Sequence, residues 1–295
     1  MNIGLAQIVL LFALILLGIW IFKNVEKKGI EGFEQKERFL LKTDKDIYDD
    51  FYCEIYDELM ERKRFAAYEL DQIIKTLQPE PRFSTFLDIG SGTGSAVHLL
   101  KEIGYKAYGI DQSQSMVELS QRKHSGLEIK CADIEDPMAY DRALFTHILC
   151  LDFTLYEIED KTRFFNNCHF WLQHNGYLVI HLAERGKFNA ITPAAKPSDV
   201  ILSGERILKT NIDFDGFAYV SEYVALDGSK MVHKENFTDK TTQHIRENER
   251  TLHMESSAEI LEIARISGFV AKGAFTLEGG PSKDKWQQVV ILERI

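Results

Sequence analysis

Asp88-Ile-Gly90-Ser-Gly92-Thr-Gly94 follows the apolar run Phe83 to Leu87 and precedes the helix-prone stretch SAVHLLKEIG. A buried strand that breaks into glycines and restarts as a helix brings backbone N–H groups and a helix N-terminus up to a ligand. Glycine permits this because it has no Cβ to hold the ligand away. The chemistry is that of a cradle for a nucleoside cofactor. A dinucleotide fingerprint would put its third glycine at position 95, which is Ser95, so an NAD or nucleotide-sugar reading is disfavoured.

Further polar residues recur at the ends of apolar runs. YKAYGID ends in Asp111, about 20 residues past the first glycine, where a carboxylate can accept hydrogen bonds from both ribose hydroxyls. Ser113 can cap the next helix, and Met116 can either lie on an adenine ring or fill core. LEIKCADIEDP ends at Cys131 with Asp133 and Ile134 just beyond, and Asp133 reads equally as a turn residue bonded to its own backbone. The fourth run ends at Leu151 before Asp152, Phe153 and Tyr156, and the fifth ends at His181 and Glu184. Ligands of open α/β sheets bind outside the carboxyl ends of the strands, and all five sets fall there.

The order D-x-G-x-G-x-G resembles motif I of class I S-adenosylmethionine-dependent methyltransferases, and DQSQSM resembles the D-x-S-x-x-M pattern that follows in that family. The resemblance spans roughly residues 45 to 295. It implies that Asp88, Gly90, Gly92, Gly94, Asp111, Met116, Asp133 and Ile134 bind S-adenosylmethionine, with Asp133 facing the adenine amino group and Ile134 packing on the ring. It also implies an α/β fold: a Rossmann-like, doubly wound, mostly parallel seven-stranded sheet closed by an antiparallel C-terminal hairpin.

Methyl transfer from a sulfonium is an in-line displacement, so holding donor and acceptor in line supplies much of the catalysis, and no nucleophilic side chain is required. A hydroxyl or carbon acceptor would gain from a general base. His181 is the best-placed candidate, beside the alternative of a packed core histidine. Asp152 and Tyr156 could orient an acceptor, and Arg185 could hold a substrate carboxylate or phosphate.

Several segments must position these groups. DIYDDFYCEIYDELMERKRFAAYELDQIIKTL reads as an amphipathic helical stretch and resembles the lid that leads into motif I in small-molecule methyltransferases. Tyr48 and Tyr56 are its candidates for cofactor or substrate contact, and sheet packing is the alternative reading. Residues 185–255 contain three strand-like runs with a turn at Asp227-Gly228 and read as a small antiparallel insert on the substrate side. This insert resembles the substrate cover of glycine- and sarcosine-type N-methyltransferases. SSAEILEIARISGF reads as a helix stopped by Gly268, with VAKGAFTL and WQQVVILERI as the closing hairpin.

The organisation expected is an anchor at 1–22, a charged juxtamembrane tether at 23–46 and a methyltransferase domain at 47–295. Residues 3–22 carry no charge and would make roughly 30 Å of helix, the thickness of a bilayer core, so one N-terminal transmembrane helix is expected. Lys23, Lys27 and Lys28 follow it, which places the large C-terminal domain of a single-pass protein on the cytoplasmic side. The sequon at Asn236 should then stay unmodified.

The net charge of −10 argues against nucleic acid as a partner. Cys53, Cys131, Cys150 and Cys168 lack metal-ligand spacing, and the nine histidines form no motif, so no metal is expected. The expected partner is a small-molecule or lipid-linked substrate. The competing reading is a non-catalytic cofactor-binding or scaffold protein that retains the fold.

Overall fold

A computed structural model of the chain describes residues 37–203 and 206–295. The expected span at 3–22 and most of the tether lie outside the described residues. Among the described residues no helix is long and apolar enough to cross a membrane.

The chain builds two sheets. The elements of the first are β2 (Thr85–Ile89), β3 (Lys106–Asp111), β4 (Ile129–Cys131), β5 (Phe145–Cys150), β6 (Leu172–Ala183), β12 (Phe269–Leu277) and β13 (Asp284–Arg294). They lie in the order β12-β13-β6-β5-β2-β3-β4, with β2 to β6 parallel and the final hairpin antiparallel, which is the sheet expected. The central strands read as apolar runs because both faces are covered. Leu87, Ile89 and Ile148 pack on one side, and Phe86, Leu149 and Val179 on the other. The order reverses at β2, which neighbours β3 on one edge and β5 on the other. Outside their carboxyl ends the sheet therefore opens a crevice.

The second sheet contains the insert strands β7 (Val200–Ser203), β8 (Arg206–Asp213), β9 (Phe217–Ala225), β10 (Lys230–Asp239) and β11 (Ile245–His253). Successive strands pair antiparallel, and the β9–β10 turn carries Gly228 at φ +64°, as the Asp227-Gly228 pair suggests. A sixth strand comes from an unexpected place. Phe39–Thr43 (β1) lies parallel to β11, so the tether expected to reach residue 46 ends earlier and its last residues belong to the domain. Charges dominate the composition there and mask an alternation of Phe39, Leu41 and Thr43 against Leu40 and Lys42. What fixes the strand is pairing with the free edge of β11, together with the Asp44 carboxylate accepting the Thr251 N–H (2.8 Å).

The stretch before the glycine turn forms two helices, α1 (Asp50–Leu59) and α2 (Arg62–Leu77), broken at Glu61, which takes a left-handed φ of 44°. Asp49 caps α1 through the Tyr52 N–H. The same carboxylate takes both bonds of a bidentate pair from Arg246 Nη1 (2.9 Å each), and Arg246 Nη2 donates to the Ile47 carbonyl. Arg246 is almost fully buried on β11, with its guanidinium 4.9 Å from the Phe51 ring centre. One arginine thus fastens the start of α1 to the second sheet. The remaining helices are α3 (Ser95–Glu102), α4 (Gln114–Lys123), the short α5 (Thr154–Glu157), α6 (Lys161–Trp171) and α7 (Ser257–Ile266).

Candidate active site

A cavity of about 650 Å³ lies between the carboxyl ends of the first sheet, helices α1 and α2, and the inner face of the second sheet. The glycine turn forms part of its wall. Gly90, Gly92 and Gly94 all have positive φ (67°, 51° and 81°), a conformation in which a side chain is strained. Their surroundings differ. A Cβ on Gly92 would meet nothing closer than Tyr56 at 3.8 Å and Met116 at 3.9 Å, so this residue leaves its space to a ligand. A Cβ on Gly94 would stand 2.6 Å from Leu127 and 2.9 Å from Ile129, so this glycine serves helix packing. One on Gly90 would strike Thr154. Gly90 and Gly92 line the cavity, whereas Gly94 and Asp88 do not.

Asp111 sits at the end of β3 with its carboxylate divided between two backbone donors. Oδ2 accepts from Gly92 N and Oδ1 from Ser113 N, both at 2.8 Å. Burial pushes its pKa up to about 6 against those two bonds. Each oxygen keeps a further lone pair for a ribose hydroxyl. Ser113 caps α4 through the Met116 N–H, and Met116 is buried on the cavity wall. Asp133 and Ile134 line the same end. Asp133 Oδ1 also accepts from Glu135 N (2.9 Å), the bond of the turn reading, while the residue lines the cavity.

Past the glycine turn the wall becomes a cluster of charges. Asp152, left-handed at φ 52°, ion-pairs with Arg62 from α2. Asp88 lies beneath, its pKa pushed up to about 7 by burial. His181 also faces the cavity. It is nearly fully buried, and neither ring nitrogen completes a hydrogen bond. The Asp152 backbone and the Gln287 side chain are the polar groups beside it, and burial holds its pKa below the ordinary histidine value. The ring is therefore neutral near pH 7, with a free nitrogen.

Besides Asp88 and Gly94, two more expected site residues lie outside the cavity lining. Tyr156 is buried outside the cavity, where its hydroxyl accepts from Ala183 N (2.7 Å) and donates to Ala183 O (3.2 Å). It ties α5 to the end of β6, and both hydrogen-bonding roles of the hydroxyl are used. Arg185 donates to the Gly228 carbonyl and does not line the cavity.

The opposite wall combines one expected residue with groups that sequence reasoning missed, Glu157, Arg250, Tyr223 and His233. Tyr48, one of the lid candidates, donates to both oxygens of Glu157 (2.7 and 2.9 Å). Arg250 of β11 approaches Glu157 (3.5 Å) and Glu235 (3.8 Å) and donates to the Tyr52 hydroxyl (3.0 Å). Burial raises the Glu157 pKa, with Arg250 and the Tyr48 hydroxyl opposing. Tyr223 stacks on His233 at 4.2 Å, and His233 bonds Ser221 through Nε2 (2.8 Å). His233 is pushed down to about 4 by burial and is neutral. A signal for this wall exists in the sequence: on β11 the inward positions are Arg246, Asn248, Arg250 and Leu252, three polar residues where a packing strand would place apolar ones. Among the described residues no group of acids, histidines and cysteines could hold a metal ion.

These residues fit a nucleoside carrying a charged tail. Gly92 leaves open the space that a Cβ would fill, Asp111 offers two acceptor sites, and the buried polar atoms of His181 and Glu69 face the cavity without partners. Residues 87–180 match the family model described as a methyltransferase domain. No curated protein sequence matches the chain.

Among solved structures, a S-adenosylmethionine-dependent methyltransferase from Clostridium acetobutylicum superposes with a TM-score of 0.61 at 16% identity, covering 82% of this chain and 97% of that one. A sugar N-methyltransferase from a Streptoalloteichus species gives 0.58 at 19% identity, covering 82% and 92%. An amino pentose methyltransferase from Micromonospora echinaspora, solved with S-adenosylmethionine bound, gives 0.57 at 16%, covering 83% and 96%. At these identities the likeness is one of fold.

Proposed function

We propose that this chain, whose residues 87–180 match a methyltransferase domain, is a S-adenosylmethionine-dependent methyltransferase that methylates a small-molecule or lipid-borne acceptor from an N-terminal membrane anchor on the cytoplasmic face. The observation that carries the reading is one continuous cavity. It joins Gly92 and Asp111, the groups suited to the nucleoside, to a separate wall built by Tyr48, Glu157, Arg250 and Tyr223.

Bound S-adenosylmethionine supplies an electrophilic methyl group. The chain's own residues do the rest. Gly90, Gly92, Asp111, Met116, Asp133 and Ile134 hold the nucleoside end. Arg246 fixes the start of α1, so Tyr48 and Tyr56 close over the cavity and exclude water. Tyr48 and Arg250 hold the Glu157 carboxylate in place toward an acceptor. His181, neutral and with an unpartnered nitrogen, can take a proton from a hydroxyl or carbon acceptor, and an amine acceptor need only arrive unprotonated.

The anchor rests on the sequence of residues 3–22 and the lysines after it. The neighbours named as a sugar N-methyltransferase and an amino pentose methyltransferase support a polar acceptor of modest size.

The test is calorimetric titration of S-adenosylhomocysteine into the protein, followed by transfer of labelled methyl to acceptors offered in lipid vesicles and in the aqueous fraction of a cell extract. Binding with label in either fraction supports the enzyme, and label confined to the aqueous fraction removes the lipid acceptor. Absence of binding by folded protein would leave the fold as a scaffold.

A further inference from the structure

The glycine turn and Asp111 answer to the nucleoside half of the cofactor. The other half of S-adenosylmethionine is an amino-acid end, with an ammonium and a carboxylate that need partners of their own. Two charged residues of α2 line the cavity, Arg62 and Glu69. Seven positions apart, they lie two turns along one helix face. Arg62 is already paired with Asp152.

Glu69 is not paired with anything. Its side chain is 1% exposed, and neither Oε1 nor Oε2 meets a donor. The charged groups acting on it are Arg62 from its own helix, Asp152 after β5 and Asp88 from β2, two carboxylates against one guanidinium. An acid in that position is costly to ionise when the guanidinium acting on it is already paired with Asp152, and burial with those two carboxylates drives its pKa well above the ordinary range. A packing role at this place would be met by glutamine or methionine without that cost. The arrangement lacks one thing, a cationic donor to the Glu69 carboxylate itself.

We propose that Glu69 binds the α-ammonium group of the cofactor's amino-acid end, from a helix that lies outside the glycine turn. The inference rests on the methyltransferase reading. When the ammonium enters, its N–H bonds go to the carboxylate, and the proton that Glu69 held in the free protein leaves to solvent.

The test compares two ligands on the full chain by calorimetry: S-adenosylhomocysteine and its desamino analogue, which keeps the nucleoside, sulfur and carboxylate and lacks only the ammonium. The wild-type chain should prefer S-adenosylhomocysteine by about tenfold or more, the size of one charge-assisted hydrogen bond. Glu69→Gln should bind the analogue as the wild type does and lose the preference. Equal wild-type affinity for the two ligands would overturn the proposal without any variant, and a Glu69→Gln chain that keeps the preference, or loses both ligands equally, would do the same. Wild-type protein that binds neither ligand would instead refute the methyltransferase reading itself.

Discussion

The Asp111 carboxylate accepts the Gly92 backbone N–H at 2.8 Å, so the acid at the end of β3 is built into the turn at the end of β2. The second carboxylate oxygen holds the Ser113 N–H. One side chain therefore shapes the glycine turn, starts α4 and offers acceptors to a ligand. Asp111→Ala should weaken S-adenosylhomocysteine binding by about tenfold or more, since two charge-assisted contacts are lost together with the turn's shape. Asp111→Asn should be nearly as harmful, because its NH₂ would face one of the two backbone donors. Unchanged affinity in either titration would remove Asp111 from the site.

Arg246 joins β11 to the cap of α1, and its guanidinium is buried against Phe51. Arg246→Ala removes the guanidinium from Asp49, which keeps the Tyr52 N–H and the Lys42 ammonium, and takes the donor from the Ile47 carbonyl. Breaking a buried pair from one side costs roughly 3–5 kcal/mol, and the half-exposed Asp49 puts this case toward the lower end. A thermal melt should show the loss, and cofactor affinity should fall with it because Tyr48 and Tyr56 are no longer held over the cavity. A variant as stable as the wild type would mean that α1 is fastened elsewhere.

How far the sequence reveals this site depends on whether the controlling contacts are local. Gly92, Asp111, Met116 and Asp133 reach the cavity from a strand end or the turn and helix that follow it, and a strand-turn-helix pattern identifies such ends without tertiary information. Tyr156 is misread because it is only five residues past Leu151 and shares that address. The direction of its ring is decided by the Ala183 backbone, 27 residues away. Arg62 and Glu69 enter the cavity only because α2 packs over the ends of β5 and β2, which no local pattern states. β11 is the intermediate case: its inward polar stripe is legible as an oddity, while its meaning needs Glu157 and Tyr48 opposite.

β1 supplies a stability prediction. A chain that begins at residue 47, the boundary read from composition, lacks the strand paired to β11 and the Asp44 bond to Thr251. Removing it uncovers the β11 backbone edge beside Arg246 and Arg250. A fragment starting at residue 47 should melt several degrees below one starting at residue 37 and should aggregate more readily through the open edge. Equal melting temperatures would show β1 to be dispensable.

Tyr48 separates acceptor from cofactor. Its hydroxyl holds Glu157, whereas Asp111 is held by the Gly92 and Ser113 backbone. Tyr48→Phe should leave S-adenosylhomocysteine affinity within about twofold and raise the KM for acceptor by a factor on the order of ten, one hydrogen bond to a charged group. A variant that loses cofactor and acceptor together would assign Tyr48 to the lid alone.

His181 tests the chemistry through pH. Burial lowers its pKa, so the neutral ring is the form present near neutrality, and protonation requires acid below the ordinary value of about 6.5. Only the neutral ring can take a proton. Activity that depends on it is therefore full above pH 6.5 and falls as pH drops through the lowered value. An amine acceptor adds its own limb, which rises toward alkaline pH as the ammonium loses its proton. The two are separated by His181→Ala. For a base at a hydroxyl or carbon acceptor, kcat should fall about 10²–10⁴-fold and the acid limb should vanish, while S-adenosylhomocysteine affinity stays near wild type. If His181→Ala turns over normally and the profile retains only the alkaline rise, the base role is lost and the acceptor is a nitrogen that arrives already deprotonated.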